Sequence, residues 1–185
     1  MKVTETDLQG VLLIEPRSFG DERGYFMETW NETRYGSHKI PRRFVQDNIS
    51  FSKKGVLRGL HFQNPNPQGK LVSVLQGEVF DVLVDLRMDS PTFKKWWGTN
   101  LSSGNRKQVL IPTGFAHGFL VLSEGALFFY KCTEFYSPES ELTLLWNDPE
   151  IGIKWPKGDP IVSEKDKKGL RLEDIARGRL FKTRS

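Results

Sequence analysis

Residues 71–86, Leu-Val-Ser-Val-Leu-Gln-Gly-Glu-Val-Phe-Asp-Val-Leu-Val-Asp-Leu, hold two runs of strand-forming residues about a central glycine. Side chains alternate faces along a strand. Over 79–86, Phe80, Val82, Val84 and Leu86 alternate with Val79, Asp81, Leu83 and Asp85. One apolar face and one face bearing acids describe a half-buried antiparallel strand. The reading is a hairpin that starts at Lys70, with arms 71–75 and 79–86 joined at Gln76-Gly77-Glu78.

Outward from this hairpin the same grammar repeats. Residues 9–15, 96–101, 109–122 and 126–136 read as strands, the last two hinged at Ser123-Glu124-Gly125. The loops carry turn residues, as in Asn64-Pro-Asn-Pro-Gln-Gly69 and the Pro91 turn over 87–92. A short helix is expected over 31–35 before Gly36, and Pro41, Arg42 and Arg43 lead into the central stretch. Ser163 caps a late helix with Leu170, Leu172 and Ile175 as its buried positions. Short strands, frequent turns and little helix predict an all-β, antiparallel jelly-roll barrel or sandwich. The 185 residues form one domain, with an N-terminal strand extension and a short helical, basic C-terminal tail.

Composition narrows the function classes. A single cysteine, Cys132, permits no intrachain disulfide and fits a reducing compartment. The opening residues lack the apolar core of a signal peptide, and no apolar run reaches membrane-span length. A soluble, cytoplasmic protein with no membrane contact is expected. The net charge is +4, but residues 165–185 carry eight Lys/Arg against three Asp/Glu, so the body is close to neutral. No recognition motif accompanies the basic tail, and no nucleic-acid partner is expected.

Chemistry concentrates in 46–63, Gln-Asp-Asn-Ile-Ser-Phe-Ser-Lys-Lys-Gly-Val-Leu-Arg-Gly-Leu-His-Phe-Gln, which ends near His61, one of three histidines. Amide, cationic and imidazole side chains among strand formers suit a pocket wall, although a satisfied buried histidine is the bland alternative. On a regular strand His61 and Gln63 share a face with Leu57, and Arg58 has the wrong parity. A bulge at Gly59 would bring Arg58 and His61 into one space. His117 and Tyr130 are expected on neighbouring strands. Arg23 and Glu28, set among Phe19, Tyr25 and Phe26, suit gripping an anion or a ring. Asp166, three residues after Ser163, reads as a first-turn acid favoured by the helix dipole.

Walker, dinucleotide-binding, Gly-x-Ser-x-Gly and Cys-x-x-Cys patterns are missing from the chain. Gly55, five residues, His61-x-Gln63 and the later Pro112-x-Gly114-x-x-His117 resemble the skeleton of the two cupin motifs. Gln63 stands where a second histidine would ligate, and an amide is a poor transition-metal ligand, so no metal and no cofactor is expected. An imidazole, a phenol and cations suit proton abstraction beside a carbonyl: a base removes the proton, a cation stabilises the enolate, and an acid on the other face returns a proton.

Several runs carry a wider resemblance: 19–28 (Phe-Gly-Asp-Glu-Arg-Gly-Tyr-Phe-Met-Glu), 46–50 (Gln-Asp-Asn-Ile-Ser), 55–63, 77–87, Ser90-Pro-Thr92 and 112–119 (Pro-Thr-Gly-Phe-Ala-His-Gly-Phe). Together, in this order, they resemble the dTDP-4-dehydrorhamnose 3,5-epimerases of the cupin superfamily. The resemblance implies a dTDP-sugar substrate, dTDP-4-dehydro-6-deoxyglucose, inverted at C3 and C5. It implies His61 as base, Tyr130 as acid, Asp166 as the carboxylate orienting His61, and Lys70 near the ketone oxygen. Arg23, Glu28, Gln46, Asn48, Arg58, His117, Glu141 (with Glu139 as the alternative at that position) and Lys165 match positions lining the nucleotide-sugar site, and Tyr136 an aromatic stacked on thymine. It further implies a homodimer in which an N-terminal strand crosses to the partner and lends residues such as Arg23. A relative acting on one carbon, and a non-catalytic sugar-nucleotide binder of the same fold, are the alternatives.

Overall fold

The computed structural model describes all residues except 39, 42, 184 and 185. Arg42, read above as part of the approach to the central stretch, and Arg184 of the basic end therefore lie outside the described residues. The strands are β1 (Lys2–Glu5), β2 (Leu12–Glu15), β3 (Ser18–Asp21), β4 (Gly24–Met27), β5 (Gln46–Lys53), β6 (Val56–Gln63), β7 (Lys70–Gln76), β8 (Glu78–Asp85), β9 (Trp96–Ser102), β10 (Gln108–Ile111), β11 (Phe115–Val121), β12 (Gly125–Cys132), β13 (Glu141–Thr143) and β14 (Ile161–Val162). One sheet has the order β1-β2-β10-β7-β12-β5; the other runs β13-β6-β11-β8-β9, with β14 added beside β6. The two enclose a core of Val72, Val74, Val79, Leu83, Val109, Ile111, Phe115, Phe119 and Phe128. This is the expected all-β jelly roll.

Residues 71–86 do not form a hairpin. β7 belongs to the first sheet and β8 to the second, so the chain turns a corner between sheets at Gly77. Gly77 has φ +80°, and a β-carbon there would collide with the Gly125 carbonyl and the Ser123 hydroxyl. That hydroxyl accepts the Glu78 N–H at 2.8 Å. A turn signal between two strand runs is read as a hairpin by default, but here tertiary packing splits the arms. The expected strand over 109–122 likewise breaks at Pro112-Thr-Gly114 into β10 and β11, which lie in opposite sheets. His117 on β11 and Tyr130 on β12 are therefore not on neighbouring strands; they sit on facing sheets.

β8 is also buried on both sides. Val82, Val84 and Leu86 join an outer cluster with Leu60, Phe62, Leu144, Ile151, Leu172 and Ile175. Val79 and Leu83 face the inner core, and with them Asp81 and Asp85, each fully buried. The face expected to meet water is the interior one. Its acids are partnered: Asp85 accepts hydrogen bonds from the Arg87 side chain, Ser90 and Thr92, and Asp81 meets His117.

The termini depart from expectation. β1, unforeseen, closes on β2 within the same chain, and β3 and β4 form a hairpin that pairs only with itself among the described residues. The first helix, α1 (Glu32–Gly36), is capped by the Asn31 side chain on the Arg34 N–H. The late helix, α2 (Glu164–Lys167), is a single turn capped by Ser163. Leu172 and Ile175 are buried as expected, but in and just after a 3-10 turn (Leu172–Asp174) beyond α2, and Leu170 is exposed. The C-terminal segment is less a tail than a cover across the second sheet, with Lys167, Lys168, Arg171, Arg177 and Lys182 exposed and Arg179 donating to the Ser140 carbonyl. No described helix is long and apolar enough to cross a membrane.

Candidate active site

The expected bulge is present and organises the site. Along β6 and β11, His61 opposes His117 and Arg58 opposes Phe119, so three steps on β6 match two on β11. The additional residue, Gly59, has φ +118°; a β-carbon there would lie 2.6 Å from Gly118 Cα and 2.7 Å from the His117 carbonyl. Parity flips at this point, which places Arg58 and His61 on one face and sends Leu60 and Phe62 to the outer cluster. The Gly59 N–H donates to Asp166 Oδ2 at 3.1 Å, and Asp166 Oδ1 lies 2.7 Å from His61 Nε2. Gly59→Ala is expected to cost roughly 1–3 kcal/mol in backbone strain and to lower turnover about 10²-fold by displacing the dyad. Thermal melts beside steady-state kinetics measure both; unaltered turnover would detach the bulge from the chemistry.

Asp166 is 5% exposed at its side chain against 30% for His61. Burial works against its charge, yet the contact with His61, the Gly59 N–H and Ser163 hold the carboxyl below its ordinary range. It stays anionic and fixes the ring through Nε2, which leaves Nδ1 of His61 as the nitrogen available to take a proton. The cap reading and the functional one coincide, since the Ser163 hydroxyl accepts the Asp166 N–H at 3.1 Å.

The cavity lies between the sheets, lined by His61, Gln63 and His117 from one and by Lys70 and Tyr130 from the other, with Gln68, Ile111, Phe115, Tyr136 and Glu141 around them. Burial pushes the Lys70 ammonium down, and nearby Cys132, Glu141 and Asp81 oppose that shift. The Tyr130 phenol is pushed up by burial and by Cys132, against the pull of Arg58. It therefore keeps its proton at neutral pH, as a donor requires. Arg58 Nε donates to the buried Ser52 hydroxyl at 2.8 Å.

At the mouth, Gln46 and Asn48 stand on β5, with Asn48 opposite Tyr130. The Gln46 side chain donates to Asn48 and accepts the Tyr136 N–H at 2.8 Å. Tyr136, half exposed, donates its hydroxyl to Glu141 at 2.9 Å, and Lys165 pairs with the same carboxylate. Burial works against the Glu141 charge, but these two partners hold it below the usual range.

Arg23 and Glu28 are not brought to this cavity. Arg23, at the turn of the β3–β4 hairpin, pairs with Asp21, and Glu28 pairs with Arg34. Gln63 is not free for a ligand either: its amide donates to the Asn66 and Phe135 carbonyls and accepts the Ser137 N–H. Among the described residues no group of three His, Cys, Asp or Glu could hold a metal ion. Sequence reasoning missed Gln68, Ser52 and Asp81. Only Asp81 left a signal, as an acid in an otherwise strongly apolar strand. A cavity of about 650 Å³ lies elsewhere, between Phe93, Pro149, Leu172 and Leu180. No histidine or tyrosine lines it.

Comparisons with known proteins agree with this geometry. Residues 5–174 match the dTDP-4-dehydrorhamnose 3,5-epimerase family. The enzyme of that name from Methanothermobacter thermautotrophicus is 55% identical over 173 residues, covering 92% of this chain and 94% of the relative. A dTDP-4-dehydrorhamnose 3-epimerase from Streptomyces niveus is 37% identical, over 99% of this chain and 89% of its own. The crystal structure of dTDP-6-deoxy-D-glucose-3,5-epimerase from Legionella pneumophila, in complex with dTDP-4-keto-L-rhamnose, superposes with a TM-score of 0.96 at 49% identity, covering 100% of this chain and 99% of that one. The chain belongs to the dTDP-4-dehydrorhamnose 3,5-epimerase family.

Proposed function

We propose that this chain converts dTDP-4-dehydro-6-deoxy-D-glucose into dTDP-4-dehydro-L-rhamnose by inverting C3 and C5. The observation that carries the mechanism is the placement of His61, backed by Asp166 of α2, on one sheet and of Tyr130 on the facing one. A sugar ring between them meets a base on one face and an acid on the other. The C4 ketone acidifies the hydrogens on C3 and C5. His61 takes the proton, the C–H electrons move to the ketone oxygen, and the Lys70 ammonium stabilises the enolate. Tyr130 then delivers its proton from the opposite face, the ketone reforms, and both side chains re-equilibrate with solvent before the second carbon reacts. Arg58, the deeper His117 and the mouth residues Gln46, Asn48, Glu141 and Lys165 line the nucleotide-sugar site, with the Tyr136 ring available to stack on the base.

The same reading gives the β3–β4 hairpin its task. An isolated two-stranded hairpin is marginal in water, and this one exposes Phe19, Tyr25 and Phe26. In a homodimer it reaches the partner's cavity and delivers Arg23 and Glu28 there. A cytoplasmic location fits a nucleotide-sugar substrate.

Proton NMR of the substrate in deuterated water tests the reaction. Wash-in at both C3 and C5 is expected; exchange at one carbon alone would make this a single-site epimerase, and exchange at neither would overturn the reading. Tyr130→Phe is expected to keep wash-in from the His61 face while inversion falls about 10²-fold. Unchanged inversion would remove Tyr130 from the acid role.

A further inference from the structure

Among the described residues three buried carboxylates lie outside the scheme above, and two are fully occupied. Asp85 serves Arg87, Ser90 and Thr92, and Asp148 accepts the Glu150 and Leu172 N–H groups. Asp81 is different. Its Oδ2 lies 2.7 Å from His117 Nε2, while Oδ1, equally buried, has no hydrogen-bond partner among the described residues. A carboxylate oxygen left bare in the interior is costly unless its charge is used.

One basic group meets it directly, and a cation across the cavity feels its charge. His117 comes from β11, where it lies directly across from His61. Lys70 comes from β7 in the opposite sheet, with Cys132 beside it in register on β12, the Tyr130 ring 5.7 Å from its ammonium, and Glu141 at the mouth. We infer that Asp81 is a positioning residue for this reaction: it commits His117 Nε2, leaving Nδ1 as that ring's other nitrogen, and together with Glu141 it contributes negative charge around the Lys70 ammonium. The inference rests on the reading of Lys70 as the enolate's cation. In a low-dielectric cavity a cation without a counter-charge gives up its proton, and a neutral amine stabilises an enolate poorly.

Asp81→Asn preserves shape and an acceptor for His117 but removes the charge. Turnover is expected to fall 10- to 100-fold with KM changed less than about threefold, and the alkaline limb of the kcat/KM profile to move about one unit to lower pH. The direction follows because removing an anion lowers the pKa of the lysine whose protonated form is active. In Lys70→Arg, whose guanidinium does not deprotonate, Tyr130 sets the alkaline limb, and adding Asp81→Asn is expected to leave that limb in place. An unchanged pH profile with only a lower melting temperature would reduce Asp81 to a structural role. Should the variant not fold, ¹⁵N NMR of the wild-type enzyme decides: a proton on His117 Nε2 and a charged Lys70 at neutral pH are expected. A neutral Lys70, or a His117 protonated only at Nδ1, overturns the assignment. Failure of wash-in in the wild type would instead sink the proposed reaction while leaving these NMR readouts intact.

Discussion

Replacing His61 with alanine is expected to lower turnover about 10³- to 10⁴-fold, the range that removal of a positioned general base commands. No second base can substitute. The opposed His117, paired with Asp81 as His61 is with Asp166, lies deeper, 7% exposed at its side chain against 30% for His61. Asp166 is held behind the His61 ring by the Gly59 N–H. Because the imidazole acts on the reacting carbon and not on the nucleotide, KM should change little. Wash-in at C3 and C5 should fall together, since one base serves both positions. A variant that retains exchange at either carbon would show a second base there and break the single-base scheme.

Asp85→Ala is expected to destabilise the fold by about 3–5 kcal/mol, the cost of leaving a buried charge without its partner. For a chain of this size that corresponds to a fall in Tm of roughly 10 °C. The Asp85 carboxylate receives the Arg87 N–H, Nε and Nη2 together with the Ser90 and Thr92 hydroxyls. Arg87 Nη2 also donates to the Gln9 carbonyl at 3.0 Å, and its guanidinium lies 4.4 Å from the Phe115 ring centroid. The group ties the N-terminal loop to the end of β8 and the start of β11, and its loss strands a guanidinium in the interior. Burial opposes the Asp85 charge, but these donors hold its carboxyl below the ordinary value. Its stabilising contribution is therefore complete above the unfolded-state pKa of about 4 and is lost as pH falls through the lower folded value. Thermal melts of wild type and variant should converge as pH is lowered through that window; a constant gap down to pH 2 would contradict the assignment.

Much of this was legible in the chain itself. The bulge at Gly59 follows from parity, because Arg58 and His61 share a face only if one residue is inserted between them. The Ser163 cap and the depth of Leu172 follow from local chemistry. What was illegible depends on which sheet a strand joins. Gln76-Gly77-Glu78 has the composition of a hairpin turn, and only contact with Ser123 and Gly125, far along the chain, makes it a corner. For the same reason the acid-bearing face of β8 was assigned to solvent: alternation reports two faces but not which one the rest of the chain covers. Leu170 misled because helical spacing was extended beyond a helix of one turn. Arg23 and Glu28 lie away from this chain's own cavity, and no pattern within one chain specifies where a hairpin reaches.

The corners at Gly55, Gly77 and Gly114 also govern how the molecule assembles. Each sends successive strands to opposite sheets, so most ladders join segments remote in sequence: Gln46 pairs with Cys132, and His61 with His117. Few native contacts can form before long loops close, which places this topology among the high-contact-order folds that reach the native state in milliseconds to seconds or more slowly. Until β12 arrives, β5 has no neighbour, and even afterwards it remains an edge strand displaying Ile49 and Phe51. An unpaired apolar edge of that kind is where chains adhere to one another during refolding, so recovery of active enzyme from denaturant should depend steeply on protein concentration.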